Sequence, residues 1–366
     1  MIPLVKPLIG EEEKRLVNEV LDSGMLAQGS KVKELEEKFA ALCDTKYAIG
    51  VNSGTAALHT ALYAAGIKKG DEVITVPFTF VATANAIIMQ GAKPVFVDVF
   101  DDTFNINPDL IREKITKKTK AIIPVDLYGQ IYDYKAVQDI AEDHKLKVIE
   151  DACQAVNATK DKRKAGSLGD LAAFSFYATK NIISGEGGMI TTDNPEYVEL
   201  CKRFRHHGQS EQTRYEYHDL GYNYRMMDLQ AAIALGQLKK IEELTNKRIE
   251  NAKILTRNLN NIPGITVPYI EENTKHVFHQ YTIKVDGFKL SRDELMQKLK
   301  DKEIGSGIYY PKPLHVHPWF SKLGYKTGDF PVSEKLSKQV LSLPVHPSLS
   351  KEDLHYIIKT ISELAC

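Results

Sequence analysis

A chain of 366 residues, 43% hydrophobic and 26% charged, has the make-up of a globular protein with room for two domains. Its 48 Lys and Arg balance 48 Asp and Glu, so no net field draws it to nucleic acid or to an anionic membrane. The start, Met1 to Lys6, lacks the apolar core of a signal peptide, and no apolar stretch reaches membrane length.

Four dispersed cysteines (Cys43, Cys153, Cys201, Cys366) argue for a reducing compartment and against a zinc knuckle, which makes the expected location cytoplasmic. In chain order, a helix is predicted at about 34–41, then a strand at 47–51 and a helix at 55–65. A strand at 72–76, a helix at 79–90 and a strand at 94–98 follow. The next units are a strand at 120–126, a helix at 133–143, and strands at 147–151, 172–176 and 188–192, with a helix at 195–205. Several of these strands are continuous apolar runs, as when helices cover both faces of a parallel sheet. From 226 to 259 the pattern is one long or broken helix, stopped by Asn260-Asn261-Ile262-Pro263-Gly264. Strands at 280–285 and 305–310 and helices at 292–300 and 351–364 then form a smaller α+β unit. The expected architecture is a large α/β domain over 1–245, with a seven-stranded mostly parallel sheet, and a small C-terminal α+β domain over 246–366.

Two of the strands lead to reactive groups. The run Ala172-Ala173-Phe174-Ser175-Phe176 leads to Lys180 and then Gly185-Glu186-Gly187-Gly188, while Val148-Ile149-Glu150 ends in Asp151. A lysine and an aspartate at one rim of a parallel sheet are the two groups that pyridoxal phosphate (PLP) requires. The amine joins the aldehyde and the carboxylate pairs with the ring nitrogen. A surface lysine and a helix-capping aspartate are the plain alternatives. Asn52-Ser53-Gly54-Thr55-Ala56 follows the first strand and opens a helix, so the free N–H groups near Gly54 and Thr55 offer a phosphate cradle, with Ser175 as a further donor. Gln154 either reaches the phenolic oxygen of the cofactor or faces solvent. In Phe78-Thr79-Phe80, an aromatic either stacks on the pyridine or packs in the core.

These motifs, with Leu127-Tyr128-Gly129-Gln130, Glu150-Asp151-Ala152-Cys153-Gln154 and Gly221-Tyr222-Asn223-Tyr224-Arg225-Met226, resemble the DegT/StrS-type sugar aminotransferases, a branch of the fold type I PLP enzymes. The resemblance covers essentially the whole chain. It implies that Lys180 carries the cofactor, Asp151 pairs with the pyridine nitrogen, Gln154 lies beside the phenolic oxygen and Phe80 stacks. Gly54, Thr55 and Ser175 match the phosphate binders. Asn223 matches an asparagine that reaches the phosphate from a neighbouring subunit, which implies a homodimer with shared sites. Tyr309, Tyr310 and His315 resemble the segment lining the sugar-nucleotide pocket, and Arg225 is either a substrate contact or a structural ion pair. The implied reaction passes the amino group of L-glutamate, through pyridoxamine phosphate, to a nucleotide-diphosphate-linked 3- or 4-keto sugar, as in polysaccharide and amino sugar biosynthesis. A sugar dehydratase on the same scaffold, whose relatives carry histidine where Lys180 stands, is one rival, and an aromatising dehydratase that keeps the lysine is a second. A PLP-binding regulatory protein is the third.

Two departures stand out. The loop 158–164 is unusually basic, as a solvated turn or a contact to the nucleotide diphosphate. His206-His207 is doubled where one histidine is usual. His315-Val316-His317 has no third ligand in sequence, so no metal is expected.

Overall fold

A computed structural model describes residues 1–210, 213 and 215–365, which leaves Cys366 outside the described residues. The large sheet has seven strands: β1 (Tyr47–Val51), β2 (Glu72–Thr75), β3 (Lys93–Phe96), β4 (Thr119–Ile122), β5 (Lys147–Asp151), β6 (Leu171–Ser175) and β7 (Gly188–Thr192). Their spatial order is β1-β7-β6-β5-β4-β2-β3. β7 runs antiparallel to both neighbours, and every other adjacent pair is parallel. The C-terminal ends of β1, β5 and β6 therefore open on one rim.

All residues of β6 and β7 are buried, which explains why β6 reads as an apolar run up to Ser175 rather than as an alternating strand. Following α1 (Glu11–Ser23), α2 (Ser30–Cys43) closes one face, where its Phe39 meets Phe174 and Phe176 edge to face at 4.9 and 5.4 Å. The other is closed by α3 (Gly54–Ala64), where Ala57 and Ala61 pack with Leu58 against Ile49 and Ile190. Alanines at that interface let the helix approach the strands closely.

The C-terminal part holds a three-stranded antiparallel sheet, β8 (Ile265–Thr266), β9 (Tyr281–Val285) and β10 (Val340–Leu343), in that order. Helices Arg292–Asp301 and Lys351–Ala365 cover it through Leu295, Leu299, Ile357 and Ile361, joined by Leu255 and by Ile2 from the chain start. This is the seven-stranded, mostly parallel α/β fold of fold type I PLP enzymes with a smaller α+β part.

Several boundaries differ from the sequence reading. The helix expected at 79–90 starts at Ala82, so Phe78 to Phe80 stay in the rim loop. The strand expected over 120–126 stops at Ile122, and Val125 makes only an isolated bridge to Asp151. The 226–259 helix breaks into Asp228–Leu238 and Ile241–Leu259. Residues 305–310 are not a strand. Gly305 bonds back to the Ile2 carbonyl, and a Cβ on it would lie 2.5 Å from Leu4 N, so the chain start wedges in where a ladder would run. Only Gly307 bridges the sheet, to Ser342 of β10, a strand too short to stand out in sequence. The basic loop is a clamp: buried Lys160 pairs with Glu271 at 2.7 Å, and Lys164 with Asp44 at 3.1 Å.

Candidate active site

β5 and β6 are in parallel register, Asp151 opposite Ala173, so Asp151 and Ser175 emerge on the same rim. Beyond Ser175 the chain folds back on itself: Ala178 N–H donates to Gly185 O at 3.0 Å and Phe176 N–H to Gly187 O at 2.9 Å. Lys180 sits in the turn between, its N–H bonded to Tyr177 O at 2.8 Å. Burial pushes its ammonium below the ordinary lysine range, while Cys153 and Asp151 beside it pull the other way. A lysine so tuned offers more of the neutral amine that attack on an aldehyde requires.

Asp151 is 4% exposed. Its Oδ2 accepts from Thr83 Oγ1 at 2.8 Å and its Oδ1 from Cys153 N–H at 3.2 Å. Thr83 in turn bonds to Thr79 of the rim loop at 3.1 Å. The carboxylate is thus fixed in orientation by neutral donors, and its charge stays available for a cationic ring.

At the start of α3, Ser53 Oγ accepts from Ala56 N–H at 3.1 Å, and the first-turn N–H groups have no intrahelical acceptor. Gly54 is required there: a Cβ would stand 2.8 Å from Ser175 Cβ and 3.2 Å from Cys153 Sγ. Thr55 is half-buried beside it and Ser175 is buried. Phe80 is 57% exposed, with its ring 6.3 Å from that of Tyr310. Gln154 faces inward, not to solvent. Its Oε1 accepts from Tyr128 N–H at 2.9 Å, and its Nε2 donates to the Tyr310 hydroxyl at 3.4 Å. An amine, an oriented carboxylate, a helix N-terminus flanked by hydroxyls and an open aromatic face converge on one rim, which is a donor set that fits PLP.

The remaining candidates scatter more. Asn223 is exposed, and its carbonyl accepts from Asn52 Nδ2 at 3.2 Å next to the cradle. The Arg225 backbone bridges Val51, and its guanidinium donates to His206 Nδ1, so the first histidine of the doubled pair holds it. Tyr309 is half-buried, and its carbonyl accepts from the Tyr128 hydroxyl. His315 lies beneath the surface: its Nε2 is 2.8 Å from Glu334, its ring stands edge to face with Phe330 at 4.8 Å, and its Nδ1 has no hydrogen-bond partner.

Sequence reasoning missed Thr83, whose only signal was the Thr79–Thr83 spacing of one turn. It also missed the pair beneath Asp151. Asp126 and Glu150 are both fully buried, and Glu150 accepts from Gly166 N–H at 2.9 Å and Leu168 N–H at 3.2 Å. Burial lifts Glu150 to about 7, and burial together with Glu150 raises Asp126, so the two share a proton near neutral pH.

Residues 7–362 match the model of the DegT/DnrJ/EryC1/StrS aminotransferase family. Over 99% of this chain and 97% of the relative, the sequence is 42% identical to the spore coat polysaccharide biosynthesis protein SpsC of Bacillus subtilis. It is 37% identical to GDP-perosamine synthase of Caulobacter vibrioides, over 99% of this chain and 98% of that one. Among solved structures, the PLP-form of Spr1654 from Streptococcus pneumoniae superposes with a TM-score of 0.94 at 30% identity, covering 100% of this chain and 98% of its own. The chain belongs to the DegT/DnrJ/EryC1/StrS aminotransferase family and is a PLP-dependent sugar aminotransferase.

Proposed function

We propose that this enzyme transfers the amino group of L-glutamate to a nucleotide-diphosphate-linked 3- or 4-keto sugar, with Lys180 as the residue that holds the cofactor and moves the proton. The observation that carries this is the Lys180 amine, depressed in pKa by burial, on the same rim as the oriented Asp151. When bound, PLP supplies the electron sink for a carbanion at the donor α-carbon. Asp151, held by Thr83, would pair with the ring nitrogen, Gln154 would bond the phenolic oxygen, Phe80 would cover one ring face, and Gly54, Thr55 and Ser175 would hold the phosphate. Lys180 would hold the aldehyde end, and its free amine would take the α-proton of the donor and, in the second half, return a proton to the sugar carbon that receives nitrogen. Asn223 of one subunit completes the phosphate site of the other in a cytoplasmic homodimer. Arg225, Tyr309 and Tyr310 face the sugar nucleotide.

Two readings share the scaffold. A lysine at 180, in place of histidine, favours transamination over dehydration. The intact set of Lys180, Asp151 and Ser175 favours an enzyme over a regulatory PLP binder. Mixing the purified protein with L-glutamate alone should convert the pyridoxal spectrum to the pyridoxamine one; an unchanged spectrum would support the regulatory reading. UDP-, dTDP- and GDP-linked 3-keto and 4-keto sugars, assayed with glutamate by mass spectrometry, then identify the acceptor. The relative named GDP-perosamine synthase places GDP-linked sugars first in that panel. A mass loss of water without nitrogen gain would mark a dehydratase.

A further inference from the structure

Next to Lys180 lies a second, smaller space. Thr179, Arg248, His279, Tyr309 and His346 line a cavity of about 50 Å³ between the large sheet and the C-terminal one. Arg248 is 6% exposed, His279 8% and His346 2%. Each carries a buried nitrogen without a hydrogen-bond partner: Arg248 Nε, His279 Nδ1 and His346 Nδ1. Their other contacts are sparse. Arg248 Nη1 donates to Phe278 O at 3.3 Å, and His346 Nε2 lies 3.1 Å from Pro3 O.

Among the described residues, no carboxylate forms an ion pair with Arg248; the nearest acidic influence in the cluster is that of Asp353 on His346. A buried guanidinium with one carbonyl for company has lost its hydration without gaining an anion, which is a costly arrangement. Burial pushes Arg248 down to about 10, and it pushes His279 well below the usual histidine range, with Lys180 and Arg248 adding to the push. Neutral waters would satisfy the nitrogens but not the charge. The volume admits a carboxylate group and excludes a sugar ring.

We propose that this cavity is a carboxylate subsite, in which a –COO⁻ group takes the Arg248 Nε–H and the His279 Nδ1–H as its partners, while His346, whose Nε2–H is spent on Pro3 O, walls the space. Thr179, which lines the cavity, directly precedes Lys180, and the Lys180 ammonium is close enough to act electrostatically on His279. The carboxylate comes from the amino donor, in which case the subsite rests on the transaminase reading above, or from a free anion retained as a counter-ion.

Calorimetry on the holoenzyme with glutarate, which has no amino group to react, and with acetate separates these sources. Glutarate should bind wild type at least tenfold more tightly than Arg248→Gln. If it also competes with L-glutamate, and if Arg248→Gln raises the L-glutamate KM tenfold with a smaller change in kcat, the donor is the source. Acetate binding that depends on Arg248 but leaves the L-glutamate KM unmoved identifies a free anion. Should Arg248→Gln fail to fold, Arg248→Lys and His279→Asn give the same comparison. Absence of binding to wild type, or equal binding to wild type and all variants, overturns the subsite. The binding arm needs no turnover, so a wild type that holds glutarate yet leaves L-glutamate unconverted contradicts the proposed donor and not the cavity.

Discussion

At the residue scale, the site depends on holding one carboxylate still without neutralising it. Thr83 does this for Asp151 across 68 positions of sequence, through a 2.8 Å hydrogen bond. Hydrogen bonds to charged groups contribute roughly 1.5–3 kcal/mol, so Thr83→Val should slow the donor half-reaction by about 10- to 100-fold. Stopped-flow absorbance measures this, and an unchanged rate would remove Thr83 from the account. Beneath it, Asp126 and Glu150 hold a proton in the folded chain that the unfolded chain releases above pH 4.5. Raised folded-state pKa values mean that the stability they bring is complete below that pH and is lost as pH climbs toward 7. The slope should approach about 1.4 kcal/mol per pH unit for one proton. Urea unfolding from pH 5 to 7.5 should show that decline in wild type and a flatter profile in Asp126→Asn; parallel profiles would contradict the shared proton. Lys180 and Asp151 stood out in sequence because Asp151 ends one recognisable strand and Lys180 follows another by five residues. Thr83, Asp126 and His315 take their surroundings from distant segments, which no local pattern carries.

At the scale of elements, the proposed cofactor cradle is the meeting of α3 with the end of β6. Gly54 is the hinge of that meeting, since any side chain there collides with Ser175. Gly54→Ala should force the strand end and helix start apart and weaken PLP binding at least tenfold by absorbance titration, while the far-UV signal stays native. Equal affinity would show that the cradle lies elsewhere. The long buried strands and amphipathic helices were readable because their period reports directly which faces are covered. Residues 305–310 were not, because their extended look comes from packing against the chain start. Nor was β10, four residues long, whose pairing with β9 spans some sixty positions.

At the scale of the whole molecule, the proposed dimer places Asn223, whose side chain is exposed on its own chain, in the partner's site. Mixing inactive Lys180→Ala with Asn223→Ala and re-associating the subunits should then restore activity. Random pairing makes half the dimers mixed, each with one intact site, so recovery should approach about a quarter of wild type. No recovery would place Asn223 in its own subunit's site. The division near residue 245, which falls within the helix Ile241–Leu259, is retained as a proposal that limited proteolysis of the holoenzyme can locate.

The central claim is tested most directly by reducing the resting holoenzyme with borohydride and mapping the labelled peptide. The account expects a single pyridoxyl group on Lys180. A label on any other lysine, or no label at all, would contradict it.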